Sequence, residues 1–223
     1  MLAQFVLFDG FDPLDVIAPY EVLHSAGMLT EGAVRVELVS AEGARDVPSG
    51  LPPLSLKATA LLDPERADVI VLPGAAGDVR SPGELSEEKQ ATAITVILGR
   101  SLETDLPRLA KEALERVDTL VATVCGGSLI LAMAGLTEGR PATTNRLGLD
   151  VLDATGTIAV DARIVDDGNL ITGGGVTSGL DVALYVLERE VGPQIARSVE
   201  KLFEHERRGT VWSTRGAAPA LTF

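Results

Sequence analysis

The sequence predicts an α/β fold with a doubly wound, mainly parallel sheet. Short, continuous apolar runs in the chain are typical of strands buried on both faces of such a sheet. These runs alternate with segments of helical pattern, which indicates right-handed crossover units. No long linker rich in Pro, Gly or Ser interrupts the alternation, so we expect one domain over residues 1–208. Residues 209–223 have little periodicity and are expected to form an extended C-terminal tail that could reach a dimer partner.

The main strands follow from four apolar runs, at 1–8, 34–40, 69–72 and 119–124. Weaker strands are expected near Ala142 and at 158–160, 164–166 and 170–172. Pro19 suits the first turn of a helix that runs to about Ser25. Three later helices are expected at 128–134, 178–191 and 193–207. The segment 81–105 begins with polar residues, becomes apolar and looks like a helical insertion or lid beside the functional site.

Composition and charge exclude several functional classes. The 223 residues carry a net charge of −13, which repels phosphate backbones and disfavours a nucleic-acid partner. We expect no membrane span, because no apolar run approaches the roughly 18–20 residues that a span needs. We also expect no signal peptide, because residues 1–9 lack a basic n-region and a long h-region. A single cysteine cannot form an internal disulfide, which fits a reducing, cytoplasmic location. Two isolated histidines, His24 and His205, predict neither a metal site nor a catalytic base.

Two familiar motifs are only approximated. Residues 173–179 read GGGVTSG, and the serine at 178 replaces the last glycine of a dinucleotide fingerprint, so a plain strand-to-helix turn is expected. Ser128 follows two glycines as in a serine nucleophile elbow, but Ile130 replaces the second glycine of that motif. Neither motif therefore predicts a cofactor site or a serine nucleophile.

Cys125 is the strongest candidate for a reactive group. It ends an apolar strand and precedes a Gly-Gly turn into a helix, at the edge of the sheet where α/β enzymes place reactive groups. The positive end of that helix is expected to stabilise the thiolate and to lower the thiol pKa. The alternative is an inert, buried cysteine, which is common in protein cores.

A carboxylate and free backbone amides are expected at the same edge. Asp15 lies in the loop after the first strand, and the segment 73–77 (PGAAG) follows the third. Gly74 and Ala75 in that segment offer amides that large side chains do not obstruct. Together with Cys125 they could supply a nucleophile, an acid–base group and an oxyanion hole. The alternative for Asp15 is that it only caps the helix near Pro19.

Three segments resemble the ThiJ/PfpI superfamily, and within it the isocyanide hydratase branch: LDVIAPYEVL, ATVCGGSLILAMAGLTEGRPATT and IVDDGNLITGGGVTSGLDVAL. The resemblance implies a flavodoxin-like fold, a homodimer and a small-molecule substrate, with no cofactor. It also implies that Cys125 is the nucleophile and that Asp15 is the carboxylic acid beside it. Aspartate at this position favours the isocyanide hydratases, because many other relatives carry glutamate. The amides of Ala75 and Gly126 correspond to the oxyanion-binding groups.

Three positions depart from the family pattern. Ala75 stands where relatives often have a second glycine, although its amide can still donate. Gly126 stands where isocyanide hydratases have threonine, which removes a hydroxyl group near the thiol. Asn145 stands where relatives commonly have histidine, which disfavours a Cys-His dyad and a peptidase-like mechanism. The altered lining affects which substrate the site would accept.

The leading hypothesis from the sequence is hydration of an isocyanide to an N-substituted formamide. The Cys125 thiolate would attack the terminal carbon, and Asp15 in its acid form would protonate that carbon to give a thioimidate. Water activated by the ionised Asp15 would then release the formamide. Burial beside an anionic thiolate is expected to raise the Asp15 pKa enough for this role. The alternatives are a glyoxalase-type reaction at the same thiol and a ligand- or redox-sensing domain.

Overall fold

The computed structural model describes residues 1–217 and contains a central sheet between two groups of helices. The strands are β1 (Leu2–Leu7), β2 (Arg35–Ser40), β3 (Arg45–Pro48), β4 (Ser55–Ala58), β5 (Ala60–Leu61), β6 (Val69–Leu72), β7 (Leu120–Thr123), β8 (Pro141–Ala142), β9 (Ile158–Ala159), β10 (Ile164–Asp166), β11 (Leu170–Gly173) and β12 (Trp212–Ser213). The α-helices are α1 (Pro13–Leu29), α2 (Glu87–Gln90), α3 (Ile94–Ser101), α4 (Leu106–Glu115), α5 (Gly127–Met133), α6 (Leu149–Ala154), α7 (Ser178–Glu190) and α8 (Pro193–Phe203). Short 3-10 helices occupy Pro82–Glu84 and Arg146–Gly148.

The main sheet has the strand order β12-β10-β11-β7-β6-β1-β2-β5. All its neighbouring strands are parallel except β10 and β11, which pair antiparallel. Every residue of β1, β6 and β7 is buried, as expected for strands covered on both faces. On one side α1, α7 and α8 pack together, and on the other α5 contacts α3, α4 and α6. This architecture confirms the predicted flavodoxin-like, doubly wound fold.

The topology determines where a site can form. From β1 the chain first adds β2 on one side, and β6 and β7 are then added on the other side. The direction of winding therefore reverses between β1 and β6. In open α/β sheets, ligands bind at such a reversal, outside the carboxyl ends of the strands. The segments that follow β1, β6 and β7 all reach this crevice.

Several predicted boundaries differ from the structure. Helix α1 begins at Pro13 instead of near Pro19, because the Asp12 side chain accepts a hydrogen bond from the Leu14 amide (2.9 Å) and caps the helix there. Helix α8 ends at Phe203 instead of near 207, since Glu204 adopts a left-handed conformation (φ 48°).

Some elements were missing from the sequence prediction. These are the β3–β4 hairpin, the short β5, and helices α4 and α6. Part of the predicted tail is also ordered, because β12 pairs in parallel with β10 at the sheet edge. The last part of that tail, 218–223, lies outside the described residues.

Candidate active site

Cys125 occupies a strained elbow between β7 and α5. Its φ of 54° lies in the left-handed region, which is unusual for a residue with a side chain. The tight turn also depends on Gly127, because a Cβ there would lie 2.2 Å from the Leu72 carbonyl oxygen. Thr144 Oγ1 donates a hydrogen bond to the Cys125 carbonyl (2.9 Å) and stabilises the elbow from the opposite side. The strand, the turn and a neighbouring loop thus fix the thiol at the crevice.

Asp15 lies in the first turn of α1 and is fully buried. Its Oδ2 accepts a hydrogen bond from the Gly74 amide (2.9 Å), while its buried Oδ1 has no nitrogen or oxygen partner among residues 1–217. A Cβ at Gly74 would lie 2.5 Å from the Gly126 nitrogen and 3.0 Å from Asp15 Oδ2, so only glycine permits this close packing. The capping alternative for Asp15 is therefore wrong, since Asp12 caps α1 and Asp15 faces the crevice.

Burial raises the pKa of Asp15 to about 8. The negative charge of Asp12 adds to this rise, whereas the hydrogen bond from Gly74 and the interaction with the Cys125 thiol lower the pKa. The rise of the Asp15 pKa agrees with the sequence prediction. Its cause differs in part, because the cysteine opposes the rise while Asp12 contributes to it. At neutral pH, Asp15 is mainly a neutral acid.

The prediction of a lowered thiol pKa is wrong. Burial, and to a lesser extent the charge of Asp15, raise the pKa of Cys125 to about 12. Hydrogen bonds from the Asn145 side chain and from the Gly126 amide act in the opposite direction but are too weak to dominate. Thiol and carboxyl are therefore coupled: a negative charge on one disfavours a negative charge on the other.

The structure also brings the remaining predicted site residues to the thiol. Asn145 Nδ2 donates to Cys125 Sγ (3.5 Å), and its Oδ1 accepts from the Leu147 amide (3.1 Å). The Gly126 amide interacts with the thiol from the start of α5, and Ala75 lines the same cavity as Cys125. Gly74 lies deeper, between Asp15 and Gly126. All six candidate residues thus lie together at one edge of the sheet.

The thiol opens into a cavity of about 420 Å³. Helix α3, from the predicted insertion, contributes Ile94, Thr95 and Leu98 to its wall, as the sequence suggested for this segment. Ile97 and Leu98 are buried in the core, so α3 is an integral wall of the site. A larger depression of about 550 Å³ lies at the amino ends of the strands, where Met1, Asp68 and Asn169 are among its lining residues. It is far from the predicted site residues and contains no cysteine.

Sequence reasoning missed two residues that shape the site. Asp12 lines the cavity and raises the pKa of both Asp15 and Cys125. The Asp12-Pro13 pair is a recognisable helix start and could have revealed it. Thr144, which supports the elbow, gave no local signal, because its role depends on a contact between distant parts of the chain.

Of the other predicted features, the two histidines lie away from the cavity lining, whereas the GGGVTSG segment contributes Val176 to it. His24 stacks on Tyr20 along α1, and His205 Nε2 contacts Asp181 Oδ1 at 2.9 Å. The GGGVTSG segment is a strand-to-helix turn between β11 and α7, as expected. Over residues 1–217, no group of three or more His, Cys, Asp or Glu side chains could hold a metal ion. In the same range, no helix is both long and apolar enough to span a membrane.

Comparison with known proteins identifies the family of this chain. A family model described as the DJ-1/PfpI family matches residues 87–189. The isonitrile hydratase of Pseudomonas putida is 35% identical over 202 residues, which cover 90% of this chain and 77% of that protein. Protein dj-1beta of Drosophila melanogaster is 28% identical and covers 89% of this chain and 94% of its own length.

Among solved structures, a THiJ/PfpI family protein from Pseudomonas syringae is similar, with a TM-score of 0.74 and 24% identity over 93% of this chain and 76% of that one. The matches extend beyond the cysteine elbow to nearly the whole described fold. They confirm the superfamily that the sequence segments suggested. The chain belongs to the DJ-1/PfpI family.

Proposed function

We propose that this protein hydrates isocyanides to N-substituted formamides, with Cys125 as nucleophile and Asp15 as proton carrier. The observation that carries the proposal is the buried carboxyl of Asp15, which has no cationic partner in the described part of the chain and lies beside a thiol at a strained elbow. The similarity to an isonitrile hydratase supports the substrate class. Asparagine at position 145, in place of a histidine base, leaves Asp15 as the group that can exchange a proton with the thiol.

The two pKa values define the reactive state. With a pKa of about 8 for Asp15 and about 12 for Cys125, both groups are protonated at neutral pH. Loss of one proton from the pair leaves a single proton shared between carboxylate and sulfur. When that proton lies on Asp15, the sulfur is a thiolate and the acid is ready to donate. This is the state that we assign to the attack.

In the first half of the reaction, the thiolate forms a bond to the terminal isocyanide carbon, and Asp15 gives its proton to that same carbon. The product is a neutral thioimidate on Cys125, and Asp15 is again a carboxylate. The unpaired Oδ1 of Asp15 is the oxygen suited to this transfer, because Oδ2 already accepts from Gly74. We assign the stabilisation of developing negative charge to the amides of Gly126, which interacts with the thiol, and of Ala75, which lines the same cavity.

In the second half, a water oxygen bonds to the thioimidate carbon. Asp15 takes a proton from this water and passes it to the substrate nitrogen. The carbon–sulfur bond then breaks as the new hydroxyl loses its proton through Asp15, which leaves the formamide and the shared-proton pair. Atoms and charges balance, because one water is added and no proton is gained or lost by the protein.

The test is turnover of cyclohexyl and phenyl isocyanide, followed by formamide formation. We expect turnover by the wild-type protein, none by Cys125→Ala, and a kcat/KM that rises with pH through about 8. Methylglyoxal serves as the comparison substrate for a glyoxalase-type reaction. Turnover of methylglyoxal but of neither isocyanide would overturn the proposal.

A further inference from the structure

The cavity above Cys125 is apolar, and its one charged lining residue among those described is acidic. That residue is Asp12, at the capped start of α1. The polar side chains that accompany it are Thr95 and Asn145. Aliphatic side chains supply the rest of the wall: Leu51, Val79, Ile94, Leu98, Leu129, Met133, Leu147, Val151 and Val176. Such a lining favours an uncharged, apolar ligand and disfavours an anion, which would be desolvated without a cation to pair with.

Gly126 lines the cavity and leaves room there for a Cβ that the chain does not have. A Cβ at this position would have ordinary contacts, 3.6 Å from the Gly74 Cα, 3.7 Å from Leu98 Cδ1 and 4.0 Å from the Ala75 nitrogen. Its backbone (φ −73°, ψ 0°) is also compatible with any residue. Neither backbone strain nor close packing therefore requires glycine here, in contrast to Gly74 and Gly127. What glycine provides at 126 is room beside the thiol.

In the proposed attack by Cys125, the substituent of an isocyanide is expected to begin near this room, because Gly126 follows the cysteine and lines the same cavity. An isocyanide is linear, so only the nitrogen separates the reacting carbon from the first carbon of the substituent. When Cys125 attacks, branching at this first carbon therefore falls close to the residue that follows the cysteine. A side chain at position 126 would compete with such a branch for the same space.

We propose that Gly126 is a specificity-determining residue: it admits neutral isocyanides that are branched at the carbon bonded to nitrogen, while the cavity lining excludes anionic substrates. This inference rests on the proposed function and narrows its substrate class. Gly126 thus has two separable roles, one through its amide and one through the missing side chain. A substitution that keeps the amide tests the second role.

The first experiment compares tert-butyl isocyanide with n-butyl isocyanide, which have the same number of carbons. In Gly126→Val the ratio of kcat/KM for the branched over the linear substrate should fall about tenfold or more, with Gly126→Ala between that variant and wild type. Gly99→Ala is the matched control, because Gly99 lies on α3 with open space around its Cβ and does not line the cavity. An unchanged ratio in Gly126→Val, or an equal loss for both substrates, would overturn the inference.

A second experiment does not depend on turnover. Cys125 is the sole cysteine, so intact mass reports its alkylation by iodoacetamide directly. N-tert-butylformamide should protect the wild-type thiol at least as well as N-butylformamide, and Gly126→Val should lose protection by the branched compound selectively. The ratio of the alkylation rate by iodoacetate to the rate by iodoacetamide should be lower for Cys125 than for the free thiol of glutathione, because the cavity disfavours an anion. Selective protection without isocyanide turnover would refute the proposed function alone; turnover without selectivity would refute this inference alone.

Discussion

Two aspartates, Asp15 and Asp181, are both buried in the first turn of a helix, yet their surroundings differ. Asp181 is paired with Arg163 and with His205, and it also accepts a hydrogen bond from the Arg208 amide (3.3 Å). Within residues 1–217, Asp15 has no cationic partner, and its one hydrogen bond from a nitrogen donor comes from the Gly74 amide. Burial is almost the same for the two side chains, so they differ in their partners and not in their exposure to solvent. The Arg163 guanidinium offsets the cost of burying a carboxylate at Asp181, whereas burial without such a cation raises the pKa of Asp15 to about 8.

The positions of the two aspartates fit different roles. Asp181 joins α7 to the start of β10 through Arg163 and to the chain after α8 through His205. It therefore fastens the C-terminal part of the fold. Asp15 joins no such elements by charge; it faces a thiol at the crevice where the winding of the sheet reverses. The comparison teaches that a buried acid points to chemistry when the structure leaves it unneutralised.

The largest expected effect concerns Cys125, the thiol that lies beside Asp15 and has no counterpart beside Asp181. Cys125→Ala should lower isocyanide turnover by at least about 10⁴-fold, because the nucleophile is lost. Cys125→Ser should fail similarly, since a hydroxyl without a strong base is a poor nucleophile. The measurement is single-turnover formamide formation. A melting temperature close to wild type would show that the alanine variant is folded, and substantial remaining turnover would argue against covalent catalysis.

The next prediction separates the two aspartates directly. Asp15→Asn should lose about 10²–10⁴-fold in kcat while remaining folded, since asparagine keeps the hydrogen bond from Gly74 but cannot transfer a proton. Asp181→Asn should keep its activity while folded but lose about 2–4 kcal/mol of unfolding free energy, because Arg163 and His205 lose their buried partner. Urea unfolding and kcat are measured on both variants. The distinction between the two aspartates is wrong if both variants lose kcat and unfolding free energy to the same extent.

A third prediction uses the pH dependence of stability. The folded state raises the Asp15 pKa from 3.8 to about 8, so its stabilising preference for the protonated acid is complete below 3.8 and is lost as the pH rises to about 8. Ionised Asp15 therefore destabilises the fold at the upper end of this window. We expect wild type to lose unfolding free energy relative to Asp15→Asn as the pH rises from 5 to 8, because asparagine does not titrate in this range. An unchanged difference would contradict the raised pKa.

Sequence patterns predicted the sheet better than they predicted the site chemistry. Completely buried strands such as Val69–Leu72 leave an apolar run that can be recognised locally. Short, half-exposed strands such as Arg45–Pro48 leave none, because polar and apolar residues are mixed in them. The position of Cys125 followed from its strand and the two glycines after it. Its raised pKa did not, since the sequence indicates the helix that follows but not how deeply the thiol is buried.

The same limit applies to Asp12 and Thr144. Asp12 acts on the site through its distance from two other groups, and Thr144 through a hydrogen bond that spans distant parts of the chain. Neither relation is encoded in local spacing. The resemblance of three segments to a known superfamily supplied the pairing of Asp15 with Cys125 more directly than any periodicity did.

The smallest expected effect concerns Asn145, which helps the thiol without exchanging a proton. Its amide donates to Cys125 Sγ at 3.5 Å and opposes the rise of the thiol pKa. Asn145→Ala should therefore lower kcat/KM by about tenfold, the usual cost of losing one hydrogen bond to a charged group, and should shift alkylation of Cys125 to higher pH. Asn145→Asp is the sharper companion, because it can still accept from the Leu147 amide but replaces the donor with a negative charge. Asn145→Asp should shift the pH profile of Cys125 alkylation to higher pH by more than Asn145→Ala does. If both variants alkylate with the wild-type pH profile, Asn145 only supports the loop, and Asp15 alone governs the thiol.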